Sequence, residues 1–305
     1  MRSRLWRRDF LAGLTASVFA APRVAGADAV EGSAGVFHEA EILRHLGALR
    51  FLARFVSEGG RALSAAEFGI IPARCLLPEA WPRYDDQPAA PWGAAVEAAV
   101  SARLEGVRVR LAEREWREVS EDRFGHRALS FMEADADIEI NRLLIAEGLA
   151  VASARDAGFR GARSGRLRDE ESRLLREDAG VFARDFAAEE EARAMRRGVW
   201  GNGLRVLMPE TASGYTARWR GFGIIRGVPL SHQERSTLDW LNFGHDPRTD
   251  FTLAIPRILR TRVEELLGEE ISGFPGRGLE MRGWVEWRGG PYVVLSAPHR
   301  LRLLV

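Results

Sequence analysis

Four tryptophans near the C-terminus are the residues of this chain best suited to bind a nucleic acid, because an indole can stack on any base. They are Trp219, Trp240, Trp284 and Trp287. Residues 213–305 also hold 13 arginines against 10 acidic residues, a mild positive excess. The alternative is that these rings pack the core and hairpins of a sheet. Both interpretations require strands that position the rings.

Histidine and aspartate in the same region could suggest a metal site. However, the spacing of His232, His245 and Asp246 matches no standard ligand pattern, and isolated loop histidines are more often solvated. Gly221-Phe222-Gly223 lacks the strand-then-helix context of a dinucleotide-binding loop, so we interpret it as the start of a strand. We therefore expect neither a cofactor nor a metal here.

The pattern after about residue 213 is almost entirely that of β-strands. One helix, Arg257–Leu267, interrupts it, and Arg288-Gly289-Gly290 predicts a tight hairpin turn. The predicted strands are Gly221–Val228, Ser236–Phe243, Phe251–Ile255, Leu279–Trp287 and Tyr292–Leu304. Five strands with one inserted helix are typical of a small Greek-key barrel, so residues 213–305 are predicted to form an OB-like β domain.

Residues 30–58 are predicted to form a helical lead-in. Between Glu39 and Phe55, apolar residues recur at a spacing that favours a helix, at Ile42, Leu43, Leu46, Leu49 and Leu52. The following region, 59–204, mixes short strands with helices. Its predicted elements are strands within Arg61–Leu77, a loop Pro78–Pro91, a helix Trp92–Leu104, a strand Val107–Leu111, a turn Asp122–Gly125, a strand Ala128–Met132, and helices Ile140–Glu147 and Leu174–Arg197.

Three motifs in region 59–204 occur in a recognisable order. They are Asp122-Arg123-Phe124-Gly125-His126, the segment Asn141–Ala150 with Glu147-Gly148-Leu149-Ala150 at its end, and the segment Ala188–Trp200. They resemble the D-R-Y-G-R turn and the two helices that follow it in the staphylococcal-nuclease-like (thermonuclease) family. The C-terminal region also resembles a tail that some exported members carry. The resemblance implies an α+β fold that is mainly β: an OB-fold barrel with packed helices, followed by a second, smaller OB-like barrel.

Members of that family hydrolyse phosphodiesters with a calcium ion held by acidic residues, a glutamate that activates water, and two arginines on the phosphate. Carrying these positions over puts Ile71 at a metal-binding aspartate, Arg74 at the glutamate and Ala66, or Ser64 in a shifted alignment, at the first arginine. The upstream metal motif has no counterpart, since Arg50–Ser57 contains no carboxylate. An aliphatic side chain cannot ligate a hard cation.

At the second arginine stands His126, with Arg127 one position further on and therefore on the opposite face of a strand. Losing a metal ligand, the base and an arginine together should abolish the mechanism. We therefore predict a degenerate nuclease, with Asp122, Arg123, Gly125, His126 and Arg127 as remnants of the motif. In the alternative, Glu58, Glu67 or Glu79 supplies a displaced carboxylate, and calcium would then be required.

The N-terminus predicts a twin-arginine export signal. The residues that carry the pattern are Arg7, Arg8, Phe10 and Leu11, and small residues offer cleavage sites after Ala27 or Ala29. The apolar stretch Phe10–Ala21 is too short to span a bilayer. Because residues 1–29 hold five arginines and two aspartates, the mature chain has 39 basic and 41 acidic residues. This near-neutral balance weakens any case for nucleic-acid binding by bulk charge.

The functional prediction is an exported, periplasmic or secreted protein without stable membrane insertion after cleavage. The first hypothesis is a non-catalytic binding module for a nucleic acid or another envelope ligand. The second is an active metal-dependent endonuclease with rearranged ligands. The third is a structural module that binds an envelope protein through its C-terminal region. The single cysteine, Cys75, excludes an intramolecular disulfide, so packing must supply the stability.

Overall fold

The computed structural model describes residues 37–56, 62–77, 93–119, 121–122, 124–136, 138–153, 169–209, 221–246 and 249–304. Helices and strands are mixed along these ranges, so the predicted α+β class is confirmed. Within them, no helix has both the length and the apolar content needed to traverse a bilayer. The residues of the predicted export signal and the predicted loop Pro78–Pro91 lie outside the described residues.

The strands of the first part of the chain are β1 Phe37–His45, β2 Phe51–Val56, β3 Ala62–Pro72, β4 Cys75–Leu76, β5 Arg108–Ala112, β6 His126–Leu129, β7 Phe131–Glu133, β8 Ile138–Glu139 and β9 Val151–Ala152. The helices are α1 Gly93–Leu104, α2 Glu113–Glu118, α3 Ile140–Ala146 and α4 Asp169–Ala194, with a 3-10 turn at Gly198–Trp200. Seven strands form the first sheet, in the order β6-β3-β2-β1-β5-β7-β8.

The first sheet curls because one segment pairs at both ends of it. β6 pairs in parallel with β3, and β7, one residue further along the chain, pairs antiparallel with β5. β1 pairs antiparallel with both β2 and β5. Five chain segments therefore follow one another in a cyclic order around a core that includes Ile42, Phe51, Ile70, Leu111 and Phe131.

The predicted helix within Glu39–Phe55 is wrong, because this segment is a hairpin of two strands. Ala40 and Ile42 are buried on β1, and Phe51 and Ala53 on β2, which is the alternation of a half-buried strand. The chain reverses at Gly47, whose φ is +97°. Two short alternating strands joined by a turn can mimic the three-to-four-residue spacing of a helix, which explains the error.

Other elements of this part agree with the sequence. α1 buries Val96, Val100 and Leu104 on one face, as the predicted helix Trp92–Leu104 requires. The strand predicted at Ala128–Met132 is divided at Ser130 into β6 and β7. The long charged helix begins and ends slightly earlier than predicted, and the Trp200 ring is buried with the Arg193 guanidinium 4.7 Å from its centre.

The second sheet is formed by β10 Val206–Leu207, β11 Gly221–Gly227, β12 Ser231–Glu234, β13 Leu238–Asn242, β14 Thr252–Pro256, β15 Leu279–Trp287, β16 Pro291–Val294 and β17 Leu301–Leu303. Its order is β10-β11-β15-β16-β14-β13-β12, and β17 pairs with β15. The helix α5, Arg257–Leu267, coincides with its prediction. Short 3-10 turns lie at Ile271–Gly273 and Pro298–Arg300.

The second sheet repeats the cyclic pairing of the first. β11 pairs with β15 and β12 with β13, although only three residues separate β11 from β12. β14 and β16 are parallel, as β3 and β6 are in the first sheet. The strand predictions did not include β12. They also predicted one strand over Tyr292–Leu304, which the structure divides at Pro298 into β16 and β17.

The described residues divide into two compact units. The first lies within Met1–Ala73, Pro91–Val151 and Ala188–Gly203, and the second within Arg74–Ala90, Ala152–Ala187 and Leu204–Val305. Each unit contains one of the two sheets. In the second, Leu259 and Val263 of α5 join a core of buried side chains from six strands.

Candidate functional site

Asp122 stabilises the turn formed by Asp122-Arg123-Phe124-Gly125-His126, the motif noted in the sequence. Its Oδ1 accepts hydrogen bonds from the backbone N–H groups of Phe124 at 2.8 Å and His126 at 3.0 Å. Partial burial of this carboxyl raises its pKa, but the two backbone donors outweigh that effect, so the pKa of Asp122 is lowered. Asp122 is therefore an ionised group that stabilises the turn. Arg123 lies outside the described residues.

His126 is packed rather than presented to a ligand. Its side chain is 11% exposed, and a Cβ at Gly69 would lie only 2.5 Å from the imidazole Cδ2. Glycine at 69 is thus required by the close approach of this ring. Gly125, with φ of +80°, precedes it at the turn. Where the resemblance places a phosphate-binding arginine, the chain has an enclosed imidazole.

Arg127 stabilises the end of α2. Its Nη1 donates to the carbonyl oxygens of Trp116 and Val119, and its Nη2 donates to Glu121 Oε1 at 3.2 Å. The guanidinium carbon also lies 4.5 Å from the centre of the Trp116 ring. A cation on the last carbonyls of a helix is stabilising, so these contacts give Arg127 a structural role.

Trp116 belongs to an aromatic cluster that we define as Phe55, Phe68 and Trp116. The ring centres of Phe55 and Phe68 are 4.4 Å apart, and Trp116 lies 5.0 Å from the first and 4.6 Å from the second. Phe55 is opposite Ala40, and Phe68 is opposite Ala53, in the strand register. Since Ala40 and Ala53 are buried, the two phenylalanines share the core side of the sheet.

Structural residues occupy the positions at which the resemblance would place catalytic groups. Ile71 is 3% exposed and part of the core. Arg74 Nε lies 3.0 Å from Asp185 Oδ2, and the Asp185 side chain is fully buried. Ala66 is exposed, and the side chain of Ser64 lies outside the described residues. An ion pair therefore stands where the resemblance expects the catalytic carboxylate.

Glu67 lies in a row of alternating charges across the outer side of the first sheet. The strand register aligns four residues, and we call them the charge row: Glu67, Arg54, Glu41 and Arg108. Neighbours of opposite sign stabilise a sheet modestly and leave little net field. Glu79 lies outside the described residues, and within the described ranges no group of three or more His, Cys, Asp or Glu side chains could hold a metal ion.

The second sheet carries rings on the side opposite its core. Leu241, Val285 and Val293 are core residues, so their chain neighbours Trp240, Trp284 and Tyr292 point to the other side. Phe222 lies beside Trp284, with ring centres 5.8 Å apart. We call this side the aromatic face, formed by Phe222, Trp240, Trp284 and Tyr292; Phe222 and Tyr292 are buried, at 8% and 7% exposure.

Two of the four tryptophans singled out from the sequence are thus brought to one face. Trp240 and Trp284 are half-buried there. Trp287 shares the alternation of Val285 and therefore lies on the core side at the end of β15. Trp219 lies outside the described residues.

Two arginines from turns cover rings of the aromatic face. The guanidinium carbon of Arg235, between β12 and β13, lies 5.1 Å from the Trp240 ring centre. That of Arg288, between β15 and β16, lies 4.6 Å from the Tyr292 ring centre. In the register, Leu238 pairs with Pro256 at one end, and Thr252 pairs with both Asn242 and Tyr292 at the other. The two turns therefore flank the face from opposite ends.

The turn that carries Arg288 is fixed by glycine. Gly289 has φ of +87°, and a Cβ at Gly290 would lie 2.6 Å from the carbonyl oxygens of Thr249 and Asp250. Burial raises the pKa of the Tyr292 hydroxyl, and nearby Arg288 and Trp240 offset this only in part. Tyr292 therefore keeps its proton and remains a hydrogen-bond donor at neutral pH.

The histidines noted in the sequence do not form a metal site with Asp246. His232 Nε2 lies 2.9 Å from Oδ1 of the buried Asp239, which Arg260 also contacts at 3.4 Å. His245 and Asp246 are exposed on the loop after β13. Within the described ranges the three residues are not brought together as ligands.

A cleft of about 270 Å³ lies in the second unit beside α4 and α5. It is lined mainly by apolar residues, among them Phe182 and Phe186, with His299 and Arg302 as its polar members. The His299 ring stacks on Phe182 with centres 4.6 Å apart. Burial lowers the pKa of His299 to about 4, so the imidazole is neutral at neutral pH.

Sequence reasoning missed the most informative contacts of the aromatic face. It identified Trp240 and the Arg288-Gly289-Gly290 turn separately, but not Arg235, Tyr292 or the pairing of each arginine with a ring. A usable signal was present, because each arginine lies in a turn four or five positions before the ring that it covers. Comparison with protein-family models finds no match to this chain, and comparison with curated proteins finds none either.

Proposed function

We propose that the protein is an exported, non-catalytic binding module of staphylococcal-nuclease-like architecture, and that it binds single-stranded nucleic acid through the aromatic face. The pairing of both sheets supports an OB-type interpretation. In the first sheet the five segments are β1, β2, β3, β5 and β6–β7, and in the second they are β11–β12, β13, β14, β15 and β16. In each sheet the segments close a cycle, the third and fifth segments are parallel, and a helix connects the third to the fourth. OB-folds have this strand arrangement, which supports the proposed architecture.

The observation that carries the proposal is the position of Trp240 between two arginine-bearing turns. In OB-folds, ligands bind on the face of the second and third strands, between the first and the fourth connecting loops. Trp240 lies on the second strand of this sheet, Arg235 lies in the first loop and Arg288 in the fourth. Rings that stack bases and a guanidinium group that binds phosphate are the two components such a site needs.

Arg74, in the turn between β3 and β4, supports a non-catalytic function, because the resemblance would place the catalytic glutamate there. Replacing a carboxylate by arginine reverses the local charge, and Arg74 is held by the buried Asp185. The charge row likewise leaves Glu67 next to Arg54 instead of a metal. The mature chain would act in the periplasm or outside the cell, where a nucleic acid or an envelope protein is an available partner.

Fluorescence anisotropy with a 5′-labelled oligothymidylate tests the proposal on the chain from Val30 onward. Trp240→Ala should weaken binding by about 1–3 kcal/mol, or about 5- to 150-fold in Kd, because one base loses its stacking partner. Trp116→Ala is the matched control, since Trp116 belongs to the aromatic cluster of the first unit. Equal losses in both variants, or a preference for neutral oligosaccharides, would contradict the nucleic-acid assignment.

One observation favours the second candidate, an active nuclease with rearranged ligands. Asp178 and Asp185 lie two helical turns apart on α4, and both interact electrostatically with Arg74. Incubating the mature chain with DNA, with calcium added or chelated, tests it, and we expect no calcium-dependent cleavage. Cleavage that is lost in Asp178→Asn, Glu67→Ala or Glu79→Ala would replace the binding proposal with this one.

A further inference from the structure

The two arginines of the aromatic face differ in their ionic partners. Arg288 donates from Nε at 3.2 Å and from Nη2 at 3.0 Å to the same oxygen, Oε2 of Glu286. Arg235 donates from Nη2 to Gln233 Oε1 at 3.0 Å, and no carboxylate within the described ranges forms an ion pair with it. The first guanidinium is thus neutralised locally, whereas the second is paired only with an uncharged amide.

This difference changes what each arginine offers to an anion. A phosphate that approaches Arg288 must displace or tolerate the Glu286 carboxylate, which repels it at short range. A phosphate that approaches Arg235 meets a full positive charge, because the amide oxygen of Gln233 carries no net charge. Both guanidinium groups lie over aromatic rings. Each end of the face therefore presents an arginine on a ring, and the Glu286 carboxylate is the main chemical difference between the ends.

We infer that the aromatic face binds one phosphate of its ligand, at Arg235, and that Glu286 excludes a second phosphate from Arg288. The inference rests on the proposed function. The favoured ligand is a short single-stranded segment with a phosphate at the Arg235 end and an uncharged group, such as a base, at the Arg288 end. Glu286 is therefore a residue that determines specificity by limiting the charge of the ligand.

The salt dependence of binding measures this number of phosphates directly. For single strands, the logarithm of the association constant falls by about 0.7 per tenfold increase in salt for each phosphate neutralised. Glu286→Gln should make this slope steeper by about 0.7 and should tighten binding at low salt, because Arg288 becomes available. Arg235→Gln should make the slope shallower by about 0.7.

The matched control is Glu269→Gln, which removes a carboxylate from another partly exposed pair in the same unit. Glu269 lies 3.4 Å from Arg277, and neither residue belongs to the aromatic face. Its slope should equal that of the unchanged protein. A slope unaffected by Glu286→Gln overturns the inference while leaving the proposed function intact. Absence of oligothymidylate binding in every variant overturns both, provided that circular dichroism shows each to be folded.

Discussion

The two sheets pair their strands in the same cyclic order, yet they expose different chemistry. The first sheet carries the charge row on its outer side and places Phe55 and Phe68 on its core side. The second places Trp240 and Tyr292 on the side opposite its core, under two arginines. Strand order alone therefore does not determine where a ligand can bind; the residues placed on each face do.

In each sheet one chain segment is divided into two strands, β6 and β7 in the first and β11 and β12 in the second, and the two breaks differ. In the first, the break at Ser130 is bridged by α2, because Glu115 Oε2 accepts the Ser130 backbone N–H at 2.8 Å. In the second, the break between β11 and β12 contains Pro229, which cannot donate to a strand partner. The first interruption therefore contacts α2, the helix that also carries Trp116 of the aromatic cluster.

The largest expected effect concerns the ion pair between Arg74 and the buried Asp185. Asp185→Asn should destabilise the protein by about 3–5 kcal/mol, because it leaves the Arg74 charge without its buried partner. Urea denaturation measures the loss. Asp178→Asn is the comparison, since Asp178 also interacts with Arg74 but is exposed, and it should change stability by less than about 0.5 kcal/mol. Equal small effects in both variants would show that Arg74 does not depend on Asp185.

An intermediate effect is the pH dependence of stability that His299 of the second unit produces. The pKa of His299 is about 4 in the folded chain and about 6.5 when unfolded, so the unfolded state binds the proton first as pH falls. Stability is therefore lost between pH 6.5 and 4, by about 3 kcal/mol in total. His299→Phe preserves a ring beside Phe182 and should abolish most of this dependence in denaturation measured at several pH values. An unchanged dependence would assign the acid sensitivity to other groups.

Much of the second sheet could be predicted because its signals are local. The helix Arg257–Leu267 and the strand Leu279–Trp287 follow from periodicity within a few residues, and both agree with the structure. The hairpin Phe37–Val56 could not be recognised, because its spacing fits a helix equally well. The Arg74–Asp185 pair joins residues 111 positions apart, which no periodicity reveals.

The candidate site was predictable only in part for the same reason. Trp240 was identified as a possible stacking residue by its type, but its side of the sheet depends on register, and a shift of one residue would reverse it. Trp287 illustrates this, since it lies on the same strand as Trp284 but three positions away and therefore on the other face. Residue type thus indicates the chemistry, and register decides which residues can perform it.

The smallest expected effect tests whether the charge row is only structural. Glu67→Gln and Arg54→Gln should each change stability by at most about 1 kcal/mol, because exposed cross-strand pairs contribute little. A double-mutant cycle in urea gives their coupling, which should be about 0.5 kcal/mol or less. Neither variant should change the salt dependence of oligothymidylate binding, in contrast to Glu286→Gln. If Glu67→Gln steepens that dependence as Glu286→Gln does, the first sheet also contacts the ligand, and the functional difference between the two faces disappears.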